Sequence, residues 1–232
     1  MTAEPCRLRV RYAKDGRLAF LGHLEVMNTI MRCVRRSGLP FEVSNGFAHR
    51  MRIQFSQALP VGASSQGEYY DLKLPYAPDS DDALARLVEA TPLGLRPDAA
   101  VVLPRKVPAL EAWASMSRWD VLVVGGVCSA QGFLKKVDQL VTDDVLEYLR
   151  GDKPRRISLQ RALVSYEAFD TEEGMRVRLT TRASEQGALR PAILVRAAMG
   201  LDPLRVCRVA QWHEDTQGVR VDPMDKRRCL VW

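Results

Sequence analysis

The sequence predicts an α+β protein built from two ferredoxin-like β-α-β-β-α-β units in tandem, over residues 1–106 and 107–232. Three observations carry this. Apolar residues alternate with period two in short runs and with period three to four between them, in the order β-α-β-β-α-β over residues 7–103. A segment with two prolines, LPRKVPAL at 103–110, reads as a linker. A similar order of periods then recurs. A hydrophobic content of 47% over 232 residues suffices for real cores.

Arg-Leu-Arg-Val-Arg-Tyr at 7–12 is a strand with Leu8, Val10 and Tyr12 on one face and Arg7, Arg9 and Arg11 on the other. Lys14-Asp15-Gly16 is a turn. Over 23–37, Leu24, Met27, Met31 and Val34 recur at helical spacing, and Gly38 and Pro40 end the helix. A short strand at 41–43 leads to Ser44-Asn45-Gly46-Phe47, where Asn-Gly suits a positive φ. A strand at 50–55 turns Met51, Ile53 and Phe55 inward and Arg50, Arg52 and Gln54 outward. In the strand at 68–74, Tyr70, Leu72 and Leu74 share one face, and Tyr69, Asp71 and Lys73 the other. Asp79–Ala90 is a helix with acids in its first turn. Residues 99–103 are a strand.

In the second half, 114–124 is a strand and 129–140 a helix, and 145–149 either extends that helix or forms a strand. Strands at 156–169 and 175–182 follow, with irregular structure near Arg161. A helix at 189–199 carries Pro191 in its first turn, and 204–212 is a strand. This is a second β-α-β-β-α-β unit with an extra hairpin. A single α+β domain is the rival arrangement. The last residues, VDPMDKRRCLVW, are expected to pack as an edge strand or against the second sheet.

Charge is uneven. The net charge is +6. Residues 1–60 hold ten Lys/Arg against four acids, so this stretch alone accounts for the whole excess. Such asymmetry points to a local anionic partner. In a β-α-β-β-α-β unit both helices cover one sheet face. Arg7, Arg9, Arg11, Arg50, Arg52, Tyr69 and Lys73 are then expected together on the opposite, open face. Arginines interleaved with an aromatic ring suit single-stranded nucleic acid, the cations following phosphates and the ring stacking on bases. Solvated arginines, or a face covered by the second domain, are the plain alternatives. Arg32, Arg35 and Arg36 form a basic stripe on the outer side of the first helix. In the loop that follows, Asn45, Phe47, His49 and Arg50 are candidate contacts. His49 is a candidate general acid or base for RNA cleavage, with His23 as a second.

Other chemistries find little support. The five cysteines show no metal-clip or disulfide spacing, and the three histidines are scattered, so neither a metal site nor a cofactor is expected. Gly125-Gly126 follows a strand, but the third glycine and downstream acid of a dinucleotide site are missing. Glu4 and the early arginines stand where a secretory signal would be apolar, and no run reaches the length of a membrane span. A cytoplasmic location is expected.

The run FLGHLEVM…MRCVRRSGLPFEVSNGFAHRMRIQFSQALPVGASSQGEYYDLKL closely resembles the bacterial radical-SAM-linked protein family. Shared features are a Phe-Leu-x-His-Leu-x-x-Met helix start, an Arg-Arg-x-Gly-Leu-Pro exit, a Ser-x-Gly-Phe loop, and Ala-Leu-Pro-x-Gly before a Glu-Tyr strand. The likeness is dense over 7–74 and weaker at LRPAILVRAAMGLDPLRVCRVAQ. Relatives carry roughly Phe-His-Pro-x-Pro after the Gly-Phe, where this chain reads FAHRMR. The first half is also similar in plan to the RNA-binding domains of CRISPR repeat-processing endonucleases. The resemblance implies an RNA-binding accessory protein working beside a radical SAM enzyme in RNA modification. A metal-independent RNA endonuclease and a protein-only adaptor, anchored by Trp113, Trp119, Trp212 or Trp232, are the alternatives.

Overall fold

The alternation of arginine with apolar residues at the start of the chain does produce a long central strand, β1 (Cys6–Lys14). The computed structural model describes residues 4–229 except 125, 127, 128, 151, 185 and 186. Its chain divides into two compact units, Met1–Ser115 with Gln211–Trp232, and Met116–Ala210. The class is α+β.

In the first unit, β1 is followed by α1 (His23–Arg36), β2 (Ile53–Phe55), β3 (Ser64–Leu74), α2 (Ser80–Ala90) and β4 (Pro97–Pro104). The strand order is β4-β1-β3, with β2 also paired to β3, and all these pairings are antiparallel. This is the split β-α-β arrangement. Leu8, Val10, Tyr12, Tyr70, Leu72 and Leu74 pack under the helices with Val26, Ile30, Val34, Ala83 and Leu87. Each fully buried aliphatic chain there contributes about 1.5–3 kcal/mol.

The buried face of α1 is Val26, Ile30, Cys33 and Val34, with Met27 and Met31 at its margins. Leu24, expected inside, is exposed. Glu25 Oε2 accepts from the Gly22 N–H at 2.7 Å, closing the first turn. Asp79 caps α2 by accepting from the N–H groups of Asp81 and Asp82. The strand expected at 41–43 reduces to one bridge, Val43 to Met51, and that at 50–55 to the three residues of β2.

The expected division at residue 106 also shifts. Residues 107–115, including α3 (Leu110–Trp113), and the C-terminal segment belong with the first unit. They cover the sheet face opposite the helices. Tyr69, Val101 and Leu103 on that face pack with Leu110, Trp113, Ala114, Val221 and Cys229. The prolines at 104 and 108 thus do not mark a free linker; the apolar residues after them are needed as a lid on the sheet.

The second unit has β5 (Met116–Val123), α4 (Ala130–Asp143), β6 (Val145–Arg150), β7 (Lys153–Ser158), α5 (Leu159–Ala162), β8 (Leu163–Thr171), β9 (Gly174–Arg182) and α6 (Pro191–Met199). It is completed by residues 205–210 of β10 (Arg205–Glu214). Its strand order, β10-β5-β9-β8, repeats the permutation of the first unit, while β6 and β7 form a separate hairpin. The strand expected over 156–169 is broken by α5 around Arg161. Pro191 opens α6 and Gly200, at φ 72°, ends it.

At the end of the chain, β11 (Arg220–Val221) pairs with His213 and Glu214, the first-unit end of β10. The tail is thus in part an edge strand. Trp232 lies outside the described residues, as do Gly125 and Cys128. Among the described residues no helix is long and apolar enough to cross a membrane.

Candidate nucleic-acid interface

The central arginines of β1 are not available to a ligand. Arg9 is 1% exposed, and its Nε and Nη2 donate to the two carboxylate oxygens of Asp71 at 2.7 and 2.9 Å. Its Nη1 donates to the Pro223 carbonyl at 3.1 Å, and the guanidinium lies 5.5 Å over the Trp113 ring. Burial alone would lower the Arg9 pKa, but the hydrogen bonds and charge of Asp71 raise it instead. Tyr69 is buried beside them, and Arg11 is engaged with Asp98 at 2.8 Å. The expected open face is therefore corrected. The lid from 107–114 and 221–229 closes it, and the charge on it is neutralised internally.

Beyond the lid, one corner of the same face carries a cation group. Three backbones meet there. The Glu42 N–H donates to Lys73 O, the Lys73 N–H to Arg52 O and the Arg52 N–H to Glu42 O, at 2.9, 3.0 and 2.9 Å. Lys73 also pairs in register with Arg7 across β1 and β3. Arg7 Nε donates to Arg105 O and Nη1 to Gln54 Oε1, both at 2.9 Å.

Four cations, Arg7, Arg52, Lys73 and Arg105, so gather at this corner around one carboxylate of their own, Glu42. Its carboxylate holds Arg105 at 2.9 Å and Arg52 at 3.5 Å. Arg7 reaches only the far oxygen of Asp71, at 3.6 Å, an acid already held by Arg9. Among the described residues Lys73 has no hydrogen-bonded or ion-paired partner for its ammonium. Burial, then Arg7, Arg52 and Arg105, hold its pKa below the ordinary lysine value against the pull of Glu42. Positive potential is left uncompensated at this corner.

A hairpin leaves the same junction. Ser44 and Arg50 close its neck, through Ser44 N–H to Arg50 O at 2.8 Å and Arg50 N–H to Ser44 Oγ at 3.1 Å. Asn45, Phe47 and His49 are exposed at its tip, Phe47 fully so, and Arg50 is exposed at its neck. The positive φ expected at Asn45-Gly46 falls on His49 instead, at 40°. That conformation is uncommon for a residue with a Cβ and holds the His49 side chain out on the tip. Among the described residues the His49 ring has no hydrogen-bond partner. His23 sits at the start of α1, half-buried and edge-on to Phe55. Arg32, Arg35 and Arg36 are exposed on α1, with Arg36 donating to Ala90 O at the end of α2.

Sequence reasoning missed Arg105 and Glu42, because residues 103–110 read as linker and Glu42 as part of a plain strand. Only the register of β4, which sets Pro104 beside Cys6, brings Arg105 to the corner.

In the second unit a cleft of about 490 Å³ is lined by Arg118, Asp120, Glu167, Arg178 and Thr180 among others. Arg178 there faces Glu167 at 3.4 Å and Asp120 at 3.9 Å, and Arg176 faces Asp120 at 3.6 Å. Those charges satisfy one another, which makes this a weaker anion site than the corner in the first unit. Among the described residues no cluster of His, Cys, Asp and Glu could hold a metal ion.

No curated protein matches the chain. Among solved structures, a chain of a Cbf5-Nop10-Gar1 complex is similar at a TM-score of 0.47 and 9% identity, with 90% of this chain and 50% of that one covered. This chain thus spans half the length of that relative. A protein from Galdieria sulphuraria is similar at a TM-score of 0.27 and 12% identity, over 77% of this chain and 81% of that one. A family described as uncharacterized protein conserved in bacteria (DUF2344) matches residues 7–191, most of the chain, and the protein belongs to that family.

Proposed function

We propose that the protein binds single-stranded RNA at the corner of the first unit and serves as an accessory to a radical SAM enzyme that modifies this RNA. The observation that carries the RNA reading is the meeting of the uncompensated Lys73 group with a hairpin that presents a fully exposed Phe47 and an exposed Arg50. Cations beside an unburied ring suit phosphate contact and base stacking on the same strand. The binding residues are Arg52, Lys73, Arg105, Phe47, His49 and Arg50. Arg9 and Tyr69 hold the fold instead.

The enzyme partnership rests on the sequence resemblance, with one structural support. The motif segments FLGHL and ALPVG leave Phe20, Leu24 and Val61 exposed. Phe20 lies beside the 61–62 turn, where a Cβ at Gly62 would stand 3.9 Å from its ring. Exposed apolar residues in two motif segments support the reading that a protein partner docks there.

The RNA reading is tested by anisotropy with a labelled single-stranded RNA across a salt series. Arg52→Gln combined with Lys73→Met should weaken binding about tenfold or more and reduce the salt slope by roughly one for each phosphate no longer neutralised. Wild-type affinity in this variant, at an unchanged melting temperature, would overturn the RNA reading. Phe20→Ser with Leu24→Ser should abolish co-purification with the radical SAM enzyme without altering RNA affinity; unchanged co-purification removes the docking surface.

A further inference from the structure

We infer that the Lys73 corner takes a terminal phosphate monoester, so that the protein recognises an end of an RNA strand and not only its internal backbone. The inference rests on the RNA reading above and deepens it.

Arg7, Arg52, Lys73 and Arg105 bring four positive charges into one group, with the carboxylates of Asp71 and Glu42 the acids nearest to them. Asp71 is consumed by its bidentate pair with Arg9. Glu42 is shared between Arg52 and Arg105. The excess therefore gathers where Lys73, which among the described residues has no hydrogen-bonded or ion-paired partner, lies between Arg7 and Arg52 on either side of β3. An internal phosphodiester brings one negative charge and has two bulky ester substituents. A monoester brings between one and two at neutral pH and three free acceptor oxygens. Three oxygens match an ammonium flanked by two guanidiniums, each donating along its own direction.

The geometry also admits a strand end. The corner is bounded on one side by the lid that buries Trp113, Cys229 and Tyr69. On the other side stands the hairpin with Phe47 at its tip. A strand whose terminal phosphate sits at Lys73 can leave along the hairpin and stack a base on Phe47. Whether that terminus is 5′ or 3′ is the same chemistry, and the experiment separates the two.

The experiment measures the affinity of the full chain for one short single-stranded RNA prepared with a 5′-phosphate, with a 3′-phosphate and with hydroxyls at both ends. Inorganic phosphate is run as competitor. One phosphorylated form should bind about tenfold more tightly than the hydroxyl form, a difference of about 1.4 kcal/mol. Inorganic phosphate should erase that difference, and Lys73→Met should abolish it, bringing the phosphorylated and hydroxyl forms to one common, weaker affinity. Equal affinity for all three RNAs, with Arg52 and Lys73 still required, overturns end recognition and leaves RNA binding standing. If no RNA binds, the function reading fails. The anion site is then decided by whether inorganic phosphate raises the melting temperature of the wild type but not of Lys73→Met; no shift overturns it as well.

Discussion

Replacing Arg9 by methionine separates a structural role for this arginine from a ligand-binding one. The side chain is 1% exposed and its partner Asp71 equally so, and the pair is bidentate at 2.7 and 2.9 Å. Methionine keeps most of the volume but leaves the Asp71 carboxylate buried without its main partner. Breaking one side of such a pair costs about 3–5 kcal/mol. Arg7, already 3.6 Å from Asp71, offsets part of the loss, which places the expected cost near the lower limit, about 3 kcal/mol. For a chain of this length that corresponds to a fall in melting temperature of roughly 6–12 °C. Calorimetry or urea unfolding measures it. Adding Asp71→Leu removes the stranded charge, and the double variant should return to within about 1 kcal/mol of wild type, since buried pairs contribute little net stability. RNA affinity of the folded Arg9→Met protein should be unchanged. A variant that melts with the wild type and loses RNA binding would refute the buried-pair argument and restore the open-face reading.

Further expectations concern the sheet and its first helices. Burial, with Asp222 and Asp98 adding to it, raises the Tyr69 phenol from about 10 to about 12. Its folded pKa is the higher one, so its contribution to stability is present below about pH 10 and is lost as pH rises toward 12. An absorbance titration of wild type against Tyr69→Phe should show one late-titrating phenol missing from the variant, and an ordinary titration would contradict the buried position. Asp79→Ala removes the acceptor for two backbone N–H groups at the start of α2 and should cost about 1 kcal/mol in urea unfolding, whereas an unchanged midpoint would mean that the cap is redundant.

The sequence by itself determined the element order and the class, because those follow from local periodicity. Arg-Leu-Arg-Val-Arg-Tyr can form only a strand with its charges on one side, and Val26 to Val34 only a helix with one apolar stripe. It also showed that the positive charge is concentrated in the first sixty residues, and that Phe47 and His49 sit in a turn. What it could not decide was which of two chemically identical arginines faces water. Arg9 and Arg52 both alternate with apolar neighbours in strands. Arg9 is buried because residues 107–114 and 221–229, distant in sequence, fold back over its face and because Asp71 lies opposite it in register. Arg52 stays at the rim because the lid ends before reaching it. Burial of a charge depends on what packs over it and on whether a counter-ion arrives at the same place. Both are set by long-range register, and neither leaves a periodic trace in the chain. For the same reason Arg105, in a stretch that reads as linker, joins the candidate site only once β4 is zipped against β1.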